Sequence, residues 1–343
     1  MKVAVVILNW NGKHFLETFL PSVLSNNPDY STIYVADNNS TDDSIVFLKN
    51  NYPQIQIIQN ALNGGFAKGY NDALAKLNHE YFILLNSDVE VSQNWIDGII
   101  QLMDDDKTIA ACQPKIKSFE QKSHFEYAGA AGGYIDKYGY PFCRGRIFDT
   151  LEEDKGQYDE TKEVFWATGA CLFIRASCFK EVNGFDEDFF AHMEEIDLCW
   201  RLKNKGYKIC YSSQSTIYHV GGGTLNKTNP HKTFLNFRNN LILICKNHSA
   251  KGLLTTIFTR MVLDGIAGIK FLASGKFSHF LAIIKAHFSF YASLKTTLRK
   301  RKLLKKEIKT YTSKGIYPHS IVMDYYLRKK KTFTEIELNH PFL

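Results

Sequence analysis

The sequence predicts an α/β fold: a mostly parallel central sheet with helices on both faces, followed by C-terminal amphipathic helices. Three observations predict it. Short apolar runs alternate with stretches of helical periodicity through residues 3–85, the pattern of parallel strands joined by crossover helices. Three of those runs end in polar clusters, Asn9-Trp10-Asn11, Asp37-Asn38-Asn39 and Asn86-Ser87-Asp88. Open parallel sheets bind ligands outside the carboxyl ends of their strands, so the clusters mark one edge as functional. From residue 253 onward the pattern turns helical and changes character.

In order, residues 3–8 read as a strand and 13–24 as a helix whose Phe15, Leu16, Phe19, Leu20, Val23 and Leu24 share one face. Residues 32–36 form a second strand ending at Asp37, 42–50 a short helix, 55–58 a strand and 65–77 a helix opened by glycine. The run YFILL at 81–85 has the unbroken apolar character of a strand buried on both faces, yet it leads into Asn86, Asp88 and Glu90. Periodicity weakens over 115–163, where Gly, Tyr and charge rise as in an insertion that covers an active site. Residues 164–174 return to buried strand character and 194–205 read as a helix closed by Gly206. The last strands are 207–211 and 216–219, before Gly221-Gly222-Gly223.

Composition excludes several classes. The chain of 343 residues is 45% hydrophobic and 22% charged, which is globular and not disordered. Seven cysteines with no C-x-x-C pair fit a reducing cytosol better than a disulfide framework or zinc knuckle. No stretch of 18 apolar residues occurs, and residues 3–8 read as a strand, not a signal peptide. The net charge of +7 is matched by residues 295–309 alone, with eight bases and one acid, so the basicity does not mark a nucleic-acid partner. No G-x-G-x-x-G follows the first strand and no G-x-x-x-x-G-K-[ST] occurs, which disfavours dehydrogenases and P-loop NTPases.

Seven motifs in order then resemble glycosyltransferase family 2, and most closely its bacterial rhamnosyltransferase-like branch. They are VVILNWNG (5–12), VADNNSTDDS (35–44), NGGFAKGYNDAL (63–74), LLNSDVEV (84–91), FWATGACLFIR (165–175), GFDEDFFAHMEEIDLCWRLKNKGYKI (184–209) and YHVGGGT (218–224). The resemblance implies the nucleotide-sugar-binding GT-A fold. It also implies a catalytic domain over 1–240 and a helical, basic region over 241–343.

The site residues follow from the same likeness. Asn9, Asp37, Asn39, Gly65, Lys68, Asn71, Asn86, Ser87, Trp166 and Gly169 match positions on the nucleotide-sugar side. A carboxylate at Asp37 can accept the imide N–H of uracil or thymine, although an Asx turn or helix cap also uses Asp there. Gly64, Gly65 and Gly69 allow close approach of a ligand and open a helix whose N-terminus can face phosphate. Asp88 is the principal ligand for a divalent Mg²⁺ or Mn²⁺ cofactor. The Asp-x-Asp element usual in the family has Asn86 at its first position here. Glu90, two residues on, shares a strand face with Asp88 and is a second ligand. His219 matches a family histidine that completes the metal site or touches the diphosphate, or is a hydrogen-bonded core residue. Glu194, Glu195 and Asp197 open a helix, where acids also complement the helix dipole. In the family pattern Glu-Asp-x-Asp the second acid is the general base, and Glu195 holds that place. Trp166 is an acceptor-side residue or part of the core.

The implied reaction is an inverting, non-processive transfer from a dTDP- or UDP-sugar to a glycan or lipid-linked acceptor. A processive synthase should carry Q-x-x-R-W and several membrane spans, a pyrophosphorylase a glycine- and arginine-rich loop after the first strand, and neither pattern is present. A catalytically inactive binding module would keep the fold without the acids. The amphipathic pattern of 254–291 beside the basic run suits a peripheral place on an anionic membrane surface, at the inner face of the cytoplasmic membrane. The alternative is a helical cap with solvated bases.

Overall fold

A computed structural model describes residues 1–221 and 229–337. Residues Gly222, Gly223 and Thr224 of the last motif lie outside the described residues. The first half runs β1 (Val3–Asn9), α1 (Lys13–Ser25), β2 (Ser31–Asp37), α2 (Ser44–Asn51), β3 (Gln56–Gln59), α3 (Gly65–Leu74) and β4 (Tyr81–Asn86). β5 (Val89–Val91), α4 (Asp97–Asp105) and β6 (Ile109–Ser118) follow. The insertion holds β7 (Gly133–Asp136), β8 (Pro141–Cys143), β9 (Arg146–Ile147) and β10 (Thr150–Leu151). Next come β11 (Lys162–Val164), β12 (Cys171–Arg175), α5 (Ala176–Glu181), α6 (Glu194–Asn204) and β13 (Lys208–His219). The chain closes with α7 (Pro230–Asn247), α8 (Leu253–Ala273), α9 (Phe277–Leu304), β14 (Ile316–Tyr317), α10 (Ile321–Tyr326) and α11 (Phe333–Glu337).

The main sheet has nine strands in the order β11-β13-β6-β12-β4-β1-β2-β3, with β5 paired to β13. β3, β2, β1, β4, β6 and β13 point one way, and β12, β11 and β5 run against them. Strand alternation divides the core between the two faces. Val3, Val5, Ile7, Tyr81, Ile83 and Leu85 pack on one side with α1 and α4. Ala4, Val6, Phe82 and Leu84 pack on the other with α3 and α6. That double covering is why YFILL carries no polar residue. Register aligns the strand ends: Asn9 lies opposite Asp37, Leu8 opposite Asn86 and Asp37 opposite Gln59. The polar clusters therefore meet along one edge.

Three local expectations change. Residues 164–174 are not one strand, because β11 and β12 pair with different partners and the 165–170 turn joins them. The two short strands expected at 207–219 are one strand, β13, irregular between Ser212 and Thr216. The aperiodic insertion folds into a second sheet, β10-β9-β8-β7-β14, whose last strand comes from the C-terminal region. Helix α7 runs through residue 240. All seven cysteines are free and buried. Among the described residues no helix is long and apolar enough to cross a membrane.

Candidate active site

The edge formed by β1 and β2 is held by side chains that bridge the two strand ends. Asp37 is buried, and its Oδ1 accepts from Asn9 Nδ2 at 3.1 Å while Oδ2 accepts from the Ser40 amide at 3.0 Å. The accepted amide is three residues on, one beyond the span of the Asx turn weighed from sequence, and a carboxylate with about four lone-pair sites retains acceptor capacity beyond these two bonds. Asn39 follows in the left-handed region (φ 60°) and is exposed. Asn9 Oδ1 is buried without a partner. A Cβ at Gly12 would lie 2.6 Å from that oxygen and 3.6 Å from Ser87 Oγ, so glycine there lets the β1 and β4 ends approach each other.

The start of α3 departs from expectation. Gly65 adopts φ +76°, and a Cβ there would sit 2.5 Å from the Phe190 carbonyl oxygen. That oxygen accepts from the amides of Phe66 (2.8 Å) and Ala67 (3.3 Å), while the Gly65 amide donates to Asn63 Oδ1 at 3.0 Å. The glycine is needed for protein-to-protein contact, and these three amides are engaged instead of facing phosphate. Lys68 pairs with Asp72 at 2.9 Å on the surface. Asn71 is also engaged: its amide donates to Phe185 O and its carbonyl accepts from Phe185 N, both at 2.9 Å. It fastens α3 to the segment before α6.

At the β4 end, Asp88 and His219 come together across 131 residues of chain. Asp88 Oδ1 lies 3.2 Å from His219 Nε2, and His219 Nδ1 lies 3.0 Å from Glu126 Oε2. All three side chains are buried, and Asn86 Nδ2 is 3.4 Å from His219 Nε2. Burial would lower the histidine pKa, but the carboxylates of Asp88 and Glu126 outweigh it and raise it to about 10. Burial pushes both carboxyls up, yet His219 holds each below its ordinary value. The arrangement stabilises a positive charge, on the imidazole or between Asp88 and Nε2.

A divalent cation fits this donor set. Ligands 2.0–2.1 Å from an octahedral Mg²⁺ sit about 3 Å apart at adjacent vertices, which is the Asp88–His219 spacing. The Glu126 carboxylate sits on the far imidazole nitrogen, where metal-bound histidines commonly donate to a carboxylate that fixes the ring. Glu126 was not anticipated from sequence; its only signal was a lone acid in the FEYAGAAGG stretch. Glu90 does not join the group. Asp88 lies in the turn before β5, so the shared-face rule for strand residues does not reach it. Glu90 lies opposite Tyr218 and pairs with Lys122, whose ammonium sits 4.4 Å over the Tyr218 ring. Among the described residues no three His, Cys, Asp or Glu side chains converge on one point as a ready cage.

The acids of α6 separate into two kinds. Asp197 is fully buried and fully matched: Oδ2 accepts from Arg201 Nε at 2.7 Å, and Oδ1 from Asn247 Nδ2 (2.7 Å) and Lys246 Nζ (2.8 Å). It ties α6 to α7, which removes it from the expected catalytic group. Glu194 and Glu195 each enclose an Oε2 with no partner. Burial raises Glu194 well above the usual carboxylate range, with Glu195 beside it adding to the shift. Burial also raises Glu195, to about 7. Glu195 stands one turn before Cys199, whose sulfur is 3.5 Å from the Ala167 amide, so it lies on the α6 face toward the 165–170 turn.

Gly169 in that turn would place a Cβ 2.9 Å from Phe66 Cζ. Trp166 is buried with Nε1 donating to Tyr134 O at 2.9 Å, so it is core and not an acceptor contact. Before α6 the backbone passes through positive φ at Phe190, His192 and Met193. Asn239 of α7 holds this segment, donating to the carbonyls of Phe189, Ala191 and His192 at 2.8–2.9 Å. Sequence reasoning missed Asn239 too; two asparagines in FRNNLIL were the available signal.

Comparison with known proteins identifies the family and the fold. The family model for glycosyl transferase family 2 matches residues 4–182. An N-acetylglucosaminyl-diphospho-decaprenol L-rhamnosyltransferase of Mycobacterium tuberculosis is 25% identical over 229 residues, covering 63% of this chain and 75% of that protein. S. aureus TarS solved with UDP-GlcNAc superposes with a TM-score of 0.56 at 16% identity, covering 97% of this chain and 93% of the other. GalNAc-T7 solved with UDP, GalNAc and Mn²⁺ gives 0.54 at 16% identity, covering 71% of this chain and 47% of the other. These likenesses show the GT-A fold, and with the family match they identify the chain as an enzyme that belongs to glycosyltransferase family 2, in a rhamnosyltransferase-like branch.

Proposed function

We propose that this chain is an inverting, metal-dependent, non-processive transferase. In this reading it moves a sugar, with rhamnose the leading candidate, from a dTDP- or UDP-donor to a hydroxyl of a glycan or lipid-linked acceptor in cell-surface polysaccharide synthesis. The observation that carries the reading is the enclosed, unpartnered Oε2 of Glu195 on the α6 face toward the 165–170 turn. The M. tuberculosis relative, whose name gives a lipid diphosphate acceptor and an L-rhamnosyl group, supports the acceptor class. In this reading the reaction takes place at the inner face of the cytoplasmic membrane.

In the proposed mechanism Glu195 accepts the proton of the acceptor hydroxyl as that oxygen bonds to the anomeric carbon. The carbon–oxygen bond to the diphosphate breaks on the opposite side, and the leaving group departs with the electron pair. A carboxylate with a pKa near 7 is a stronger base than an ordinary glutamate and is ionised in part at neutral pH. Asp88 and His219 would hold the divalent cation, with Glu126 orienting the imidazole. When bound, the cation supplies Lewis-acid stabilisation of the diphosphate charge. Asp37 would read a pyrimidine base through its remaining acceptor capacity.

The test is a calorimetric titration with UDP, dTDP and GDP in the presence of Mn²⁺. UDP or dTDP should bind more tightly than GDP; tighter GDP binding would overturn the pyrimidine reading.

A further inference from the structure

Helix α8 packs with its polarity reversed, while α9 buries Ala282, Ile283, Ala286 and Phe290 and still leaves apolar side chains outside. The residues α8 buries are Thr256, Arg260, Asp264 and Gly268, spaced four apart along one face. Asp264 is fully enclosed and accepts from Arg260 Nε at 2.7 Å and Tyr140 OH at 3.2 Å, with His287 Nε2 also at 3.2 Å. Arg260 also donates to Asn240 and lies 3.7 Å over the Tyr140 ring. The apolar side chains point the other way: Leu254 is 83% exposed, Phe258 69%, Ile269 64% and, on α9, Phe288 72%. A continuous apolar face of this kind marks a contact surface.

Charge identifies what covers it. Between residues 249 and 306 the only acid is Asp264, which is buried against Arg260. Along the outer side of α9, Ile284, Phe288, Tyr291, Lys295, Leu298 and Lys302 recur every three or four residues, so the apolar stripe passes into a basic one. A second copy of the chain docked through this face would cover bases for which the face offers no acid, since Asp264 is enclosed. No described helix can span a bilayer, so the hairpin would lie in the plane of the interface. We infer that the outward face of α8–α9 docks on an anionic lipid bilayer, with Phe258, Ile266 and Phe288 at the acyl boundary and Lys295, Arg299 and Lys302 among the head groups.

The basic run divides between docking and structure. Arg301 is buried and donates to the Cys245 carbonyl at 2.9 Å and the His248 carbonyl at 2.6 Å, and Lys300 pairs with Asp186 and Asp188. Neutralising Arg299 to Lys302 as a block would therefore damage the fold. On its buried side α9 meets α7, where His279 Nδ1 lies 2.8 Å from Thr233 Oγ1, and α7 holds the segment ahead of Glu195. The inference names the surface that the proposed lipid-linked acceptor requires. It rests on packing and charge alone, so lipid binding and sugar transfer fail separately.

The experiment is flotation of the full chain with phosphatidylcholine vesicles, with and without phosphatidylglycerol, in the absence of nucleotide. The wild type should float only with phosphatidylglycerol. Each base near an anionic surface is worth about five-fold, so Lys295→Gln, Arg299→Gln and Lys302→Gln together should weaken binding roughly a hundred-fold. Phe258→Ser, Ile266→Ser and Phe288→Ser together should weaken it at least about ten-fold. Both variants change half- or fully exposed positions and should keep the wild-type melting curve. Failure of the wild type to float, or flotation of both variants like the wild type, overturns the inference. So does a wild-type dimer in sedimentation that the serine variant abolishes, which would make the occupant a second copy.

Discussion

The sheet edge and the α8–α9 hairpin depart from ordinary burial in opposite directions. At the edge, enclosed polar atoms lack partners: Asn9 Oδ1, Asn60 Oδ1, Glu194 Oε2 and Glu195 Oε2. In the hairpin the enclosed polar groups of Arg260 and Asp264 are matched, and apolar side chains lie uncovered. Each departure costs free energy in the isolated protein, about 1–3 kcal/mol for an enclosed polar group left unpaired. The first kind is relieved by a ligand carrying hydrogen-bond donors, the second by an apolar phase. The two regions thus call for different partners, a polar substrate and a lipid surface.

The same contrast exists within α6, and it yields the largest expected effect. Asp197→Ala would leave Arg201 and Lys246 as buried cations lacking their shared carboxylate. Breaking such a pair costs about 3–5 kcal/mol, which a denaturant melt would read directly. Glu195→Gln removes a carboxylate that only backbone amides and no basic side chain compensate among the described residues, so its melt should be unchanged or slightly more stable. If the two variants lose equal stability, the division of the α6 acids into structural and reactive kinds is wrong.

A smaller effect is expected at Glu126. If it orients His219 toward a cation, Glu126→Gln should weaken Mn²⁺ binding about 10–100-fold in the presence of UDP. Calorimetry at saturating nucleotide measures this. Unchanged Mn²⁺ affinity would mean that Glu126 only fills space beside the imidazole.

The fold was legible where the signal is local. Alternation and apolar runs located β1 to β4 with their helices, because each strand's character depends on its own two faces. The insertion was read as aperiodic because β7 to β10 have only two to four residues each, too short for a period to register. In the site, Asp88 and His219 come from two separate motifs and lie 3.2 Å apart. Glu126 was missed because it meets His219 from 93 residues away, a pairing that local pattern cannot show. Asn71, Trp166 and Asp197 sit in the right motifs, but their polar atoms serve the protein itself. Sequence names the residue type at a position; whether its hydrogen bonds are already satisfied is a tertiary fact.

The central claim is that Glu195 is the base, and a pH–rate profile of Glu195→Gln beside the wild type tests it most directly. Burial raises the folded pKa above the unfolded value, so the stability linked to the protonated form is present below about pH 4.3 and lost as pH rises through about 7. The same ionisation creates the base, so wild-type transfer should climb as pH rises and level off above about 7. Glu195→Gln should transfer about 10²–10⁴-fold more slowly and lose that rise, with UDP and Mn²⁺ binding unchanged. A variant that transfers at near the wild-type rate, with the wild-type pH profile, would contradict the account and move the role to Glu194.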